Sequence, residues 1–158
     1  MELIKKYGIK ICCALALIAL FLPMATVTIS NDYTGDISQS LSGFTVAFQG
    51  YVCMLLIVGP AAIIAAEYIE VVKKLKALVQ CGVSLIGIIL TFVGYLQASN
   101  IAGAAESVSM GYAEVNASMG FGGILCIISY VAILAITLLF DRNELKANIA
   151  ALKGAKAQ

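Results

Sequence analysis

The 158-residue chain is 61% apolar and 12% charged, where a soluble globular domain has roughly 45–50% and about 25%. A soluble domain of this length still exposes much of its surface, and a mean hydropathy of +0.99 leaves too few polar residues to cover it. Ten Lys+Arg against nine Asp+Glu give a net charge of +1, which excludes the one-sided basic field of a nucleic-acid binder. The absence of His removes the commonest metal ligand and neutral-pH proton carrier. The composition therefore predicts an integral membrane protein, with the lipid bilayer as its first partner, no nucleic acid and no cofactor.

A helix crossing about 30 Å of hydrocarbon needs about 20 mostly apolar residues. In chain order, such stretches are Ile11–Thr28, Tyr51–Ile69, Ala77–Gln97 and Met119–Phe140. They predict an all-α, four-transmembrane-helix bundle forming a single domain over 1–158. The first stretch follows Lys5 and Lys6 and has a rival reading as a signal peptide, although the residues around Pro23, Met24 and Ala25 lack a small-x-small cleavage pattern. The five cysteines, Cys12, Cys13, Cys53, Cys81 and Cys126, all fall in apolar stretches. This excludes a secreted disulfide framework and leaves them as small packing residues, with S-acylation at Cys12 and Cys13 as the alternative.

The first connecting segment, 29–50, alternates apolar and polar residues. Thr26–Ser30 and Phe44–Phe48 read as strands of a hairpin, and Val108–Val115 in the second segment, 98–118, adds a third. The expectation is a small extracytoplasmic β-sheet cap, since two strands alone are marginal. Asn116-Ala117-Ser118 is also a glycosylation sequon, a triplet frequent by chance.

Gly59 and Pro60 interrupt the second stretch. Pro60 lacks an amide hydrogen and crowds the carbonyl of Leu56, which predicts a helix kink. Glu67 falls at the end of that stretch, facing headgroups or a neighbouring lysine, and Glu70 has Lys73 and Lys74 within pairing distance.

Helices in lipid associate through close approach at small residues and a few hydrogen bonds. In the third stretch Ser84, Gly87, Thr91, Gly94 and Ala98 repeat at spacings of 3 and 4, and Gly122, Cys126, Ser129 and Ala132 repeat more loosely in the fourth. Both stripes are expected to meet another helix, within the chain or in a neighbouring subunit. Gln80, an amide inside the third stretch, is expected to bond across helices. In the tail, 141–158, Leu145, Ile149 and Leu152 form an apolar stripe on a basic amphipathic helix, suited to the inner membrane surface or to a cytoplasmic partner.

All ten basic residues lie in 1–10, 70–76 and 141–158, and none in 29–50 or 98–118. Random placement on two sides would give such a split about once in 500 draws, so the residues place both termini in the cytoplasm of a multi-pass plasma-membrane protein.

One span, a strand-rich outer loop and three further spans resemble the claudin-type arrangement in topology. The chain has no Trp and no cysteine in the outer segments, so the claudin signature is missing and junction formation is not implied. Leu22-Pro23 followed by the Thr26–Ser30 strand and Ser42-Gly43 also resembles small bacterial membrane proteins of unassigned role, a likeness that implies no activity. The function expected is a non-enzymatic membrane subunit that assembles with itself or with partner membrane proteins as a scaffold. The alternative is an oligomeric channel or small-solute transporter, because four such apolar spans cannot enclose an aqueous path alone. Acid–base catalysis lacks its usual parts.

Overall fold

The computed structural model describes residues 2–31, 35–48, 54–69, 72, 75–108 and 114–155. Among them are six helices, α1 (Glu2–Ala19), α2 (Gly43–Phe48), α3 (Leu55–Ala65), α4 (Lys76–Val108), α5 (Phe121–Phe140) and α6 (Arg142–Ala155). Three strands, β1 (Pro23–Asn31), β2 (Gly35–Ser42) and β3 (Glu114–Met119), form one antiparallel sheet in the order β2-β1-β3.

The four-span bundle is not what the chain forms. Among the described residues two helical stretches are long and apolar enough to cross a membrane, Lys76–Ala104 and Phe121–Phe140; the apolar helices Tyr7–Ala19 and Leu55–Ala65 are shorter. At 1.5 Å per residue the 11-residue α3 rises only about 16 Å. The first expected span fails for a local reason. Helix α1 closes through Leu20–Leu22 turn bonds, and Pro23 opens a strand in which the β-branched run Thr26–Ile29 pairs on both sides. The second stops at Ala65, and Ala66–Tyr68 follow as turns.

The sheet also has other boundaries than the sequence suggests. The Phe44–Phe48 strand is instead α2: Ser42 Oγ accepts the Thr45 N–H at 3.3 Å, a helix N-cap in which serine is favoured. The hairpin partner of β1 is the polar Gly35–Ser42 segment, with Val27 opposite Gln39 and Ile29 opposite Ile37. Gly35 enters β2 at φ 76°, a conformation open to glycine. The third strand starts at Glu114; the preceding part of the expected Val108–Val115 strand ends α4 or lies outside the described residues. Segment 98–118 is mostly not a loop, because its Ala-rich first half, through Val108, continues α4.

Alternation along β1 gives the sheet two unlike faces. Ala25, Val27 and Ile29 share one face with Val115, Ala117 and Met119; Ala25 and Val115 are buried there, as are Ala98 and Ala102 of α4 beneath them. Thr26, Thr28 and Ser30 share the other with Ser118, Asn116 and Glu114 and with Ser40, Ser38 and Asp36 of β2.

Sheet and helices meet at a knot of backbone contacts. Gly120 donates its N–H to Met24 O at 2.9 Å, and Phe44 donates to Leu20 O at 3.1 Å. A Cβ on Gly120 would stand 2.2 Å from Pro23 O, and one on Gly122 2.6 Å from Ala19 O. The Leu22-Pro23 and Ser42-Gly43 pairs thus come together in space: Pro23 lies opposite Ser42, and Gly43 is pressed onto Leu20.

Candidate functional site

The interior is built around Tyr130 of α5, whose side chain is fully buried. Its ring lies so close to Gly87 that a Cβ there would sit 2.5 Å from it. Its hydroxyl lies 3.4 Å from Leu56 O and donates to it. Leu56 O is the acceptor that Pro60, with no amide hydrogen, leaves unbonded four residues on. Leu56 and Tyr130 are both buried, and a buried carbonyl needs a donor from elsewhere in the protein. Gly59, one residue before the proline, would bring a Cβ within 2.9 Å of Val83, so its bareness lets α3 lie close to α4. The interruption at Gly59 and Pro60 is therefore a packing joint among three helices.

The small-residue stripes lie inside the chain. Ser84, Gly87, Thr91, Gly94 and Ala98 are all buried, as are Gly122, Cys126 and Ser129 of α5, while Ala132 is half-buried. Thr91 Oγ1 donates to Gly87 O at 2.8 Å and lies 3.6 Å from Cys126 Sγ across the α4–α5 interface. Ser129 Oγ donates to Leu125 O at 2.8 Å. These back-bonds to the preceding turn satisfy hydroxyls that have no water to turn to. One turn from the far end, Thr137 Oγ1 lies 2.8 Å from Ile133 O and 3.4 Å from Gln80 Oε1, so Gln80 meets α5. Gln80 Nε2 and Ser84 Oγ, both buried, have no partner among the described residues.

At that same end a charged cluster ties three elements. Glu67, just past α3, places one carboxylate oxygen 3.0 Å from Lys10 Nζ of α1 and the other 3.0 Å from Lys76 Nζ at the start of α4. Its side chain is 17% exposed. Partial burial pushes its pKa up, but the hydrogen bonds and charges of Lys76 and Lys10 together outweigh this and leave it below the usual carboxylate value. The pKa of Lys10 is raised, chiefly by its hydrogen bond to Glu67 and then by the charge, and Lys10 Nζ stands 5.6 Å from the centre of the Tyr68 ring. The expected pairing of Glu70 with Lys73 and Lys74 lies outside the described residues, as does Cys53. Cys12, Cys13, Cys81 and Cys126 are free thiols.

The apolar stripe of the tail falls on α6. Leu145 and Ile149 line a cleft of about 470 Å³ with Leu78, Cys81, Gly82 and Leu85 of α4 and Leu134 and Leu138 of α5. The side chain of Leu152 lies outside the described residues. At the opposite end, the polar face of the sheet carries the sequon residue Asn116, exposed, with Nδ2 donating to Glu114 Oε1 at 3.3 Å.

Sequence reasoning missed the Tyr130 joint and the cleft. The first had a signal, a lone phenol amid the aliphatic residues of α5 set against a Gly-Pro pair elsewhere; the second needed the angle between α5 and α6, which no pattern encodes. Among the described residues no group of three His, Cys, Asp or Glu is placed to hold a metal.

No protein-family model, curated protein or solved structure matches the chain.

Proposed function

We propose that the chain is a non-enzymatic membrane subunit that crosses the bilayer through Lys76–Ala104 and Phe121–Phe140 and self-assembles through its sheet. The exposed surface of these helices supports membrane residence: Leu85, Ile86, Ile89, Phe92 and Leu96 on α4 and Ile124, Ile128, Val131, Leu138 and Leu139 on α5 all face outward. Only 39% and 33% of the two apolar windows is buried inside the protein, whereas the core helix of a soluble fold hides most of its apolar surface. The shorter helices α1 and α3 pack on this pair and extend the apolar belt with Ile11, Leu15, Ile18 and Val58.

The end bearing Lys10, Lys76, Arg142 and Lys146 faces the cytoplasm in this reading, and the lysine-free sheet faces outward.

The assembly role rests on one observation. Strand β2 is an edge strand of eight residues, paired on one side only among the described residues and exposed over Gly35–Ser40. It has neither lysine nor proline, the usual means of blunting an edge. Its single charge, Asp36, is near one end, so antiparallel pairing with β2 of a second copy sets the two carboxylates far apart. A photo-reactive side chain at Gln39 tests this in native membranes. The reading expects a cross-linked homodimer; an adduct only with a different protein makes the sheet a heteromeric contact, and an unadducted monomer overturns assembly through β2.

A further inference from the structure

We propose that the cleft between α4, α5 and α6 holds an acyl chain of an anionic phospholipid whose phosphate is met by Arg142 and Lys146; this rests on the membrane reading above. The walls are apolar throughout: Leu78 and Leu85 of α4, Leu134 and Leu138 of α5, and Leu145 and Ile149 of α6, with Gly82 leaving the floor open. Its volume of about 470 Å³ lies within the ~300–1,000 Å³ range of small-molecule sites. An apolar opening against lipid-facing helices admits a hydrocarbon chain without desolvating any polar group.

Charge selects the headgroup. At 100° per residue Arg142, Leu145, Lys146 and Ile149 share one face of α6, with both cations along one side of the two side chains that wall the cleft. Both cations are exposed. Glu144, the acidic residue of the first turn, falls on the opposite face, and Asp141 is buried. Basic side chains beside an apolar cleft at the cytoplasmic end of membrane helices suit an anionic lipid and give a zwitterionic one no advantage.

The chain has no Trp, so an introduced one is a unique fluorophore. Ile149→Trp and, should that variant not fold, Leu138→Trp are reconstituted in mixed phosphatidylglycerol and phosphatidylcholine vesicles with brominated chains on one lipid or the other at equal mole fraction. Bromine on phosphatidylglycerol should quench at least about three-fold more strongly, as two cations at a membrane surface enrich anionic lipid. Arg142→Gln with Lys146→Gln should remove the difference. Equal quenching by the two lipids in the singly substituted protein overturns the proposal, as does shielding from both, which would mean that a second copy or another protein segment fills the cleft. Ile128→Trp, exposed on α5, separates the two levels: quenching there with none at 149 refutes only the cleft, whereas its absence removes the membrane reading and the cleft with it.

Discussion

The Tyr130 hydroxyl donates to the Leu56 carbonyl across 3.4 Å, standing in for the amide hydrogen that Pro60 does not have. Helix α5 thereby completes the hydrogen bonding of α3, and Gly87 of α4 leaves the space in which the ring lies.

Tyr130→Phe removes that donor and leaves a buried carbonyl unpaired, at a cost of about 1 kcal/mol for so long a bond. The same change in a Pro60→Ala background should cost less, because the new alanine amide can bond to Leu56 O. Unfolding of the solubilised protein, followed as a double-mutant cycle, should give a coupling of the two sites; additive effects would mean that the hydroxyl does not serve Leu56.

The glycines sort by what surrounds them. Gly120→Ala and Gly122→Ala drive a methyl into backbone carbonyls at 2.2 and 2.6 Å, which cannot swing away, and each should cost about 1–3 kcal/mol or more. Gly103→Ala on exposed α4 meets nothing within 4 Å and should stabilise by about 0.5–1 kcal/mol through helix propensity. Thermal unfolding of the three variants should give opposite signs of shift.

Glu67→Gln leaves Lys10 and Lys76 facing each other without a counter-charge and should cost about 1 kcal/mol, limited because both lysines are partly exposed. The carboxyl's lowered pKa makes its contribution present above the ordinary carboxylate pKa and lost as pH falls through the folded value. The raised pKa of Lys10 makes its contribution present below the ordinary lysine pKa and lost as pH rises through its folded value. Stability of the parent should therefore fall at acid pH more steeply than that of Glu67→Gln. Parallel pH profiles would mean that Glu67 does not hold Lys10 and Lys76 together.

The 3-and-4 spacing from Ser84 to Ala98 is a property of one helix face, and every residue of it is buried. Alternation at Thr26–Ser30 marked the central strand. What misled was hydropathy averaged over windows: it carried the first stretch through Leu22-Pro23 to Thr28, where the proline and the β-branched run turn the chain into a strand, and it hid the N-cap at Ser42 that makes Phe44–Phe48 helical. Tail residues Leu145 and Ile149 declared a face but not its neighbour, since a period cannot specify which surface a helix folds back on.

The arrangement of charge across the bilayer is tested by single cysteines in a background whose native cysteines are replaced. Ser38→Cys on β2 and Lys146→Cys on α6 are exposed positions at opposite ends. In intact cells a membrane-impermeant maleimide should label Ser38→Cys and spare Lys146→Cys until the cells are permeabilised. Labelling of Lys146→Cys in intact cells, or equal labelling of both, would contradict an outward sheet and a cytoplasmic basic end.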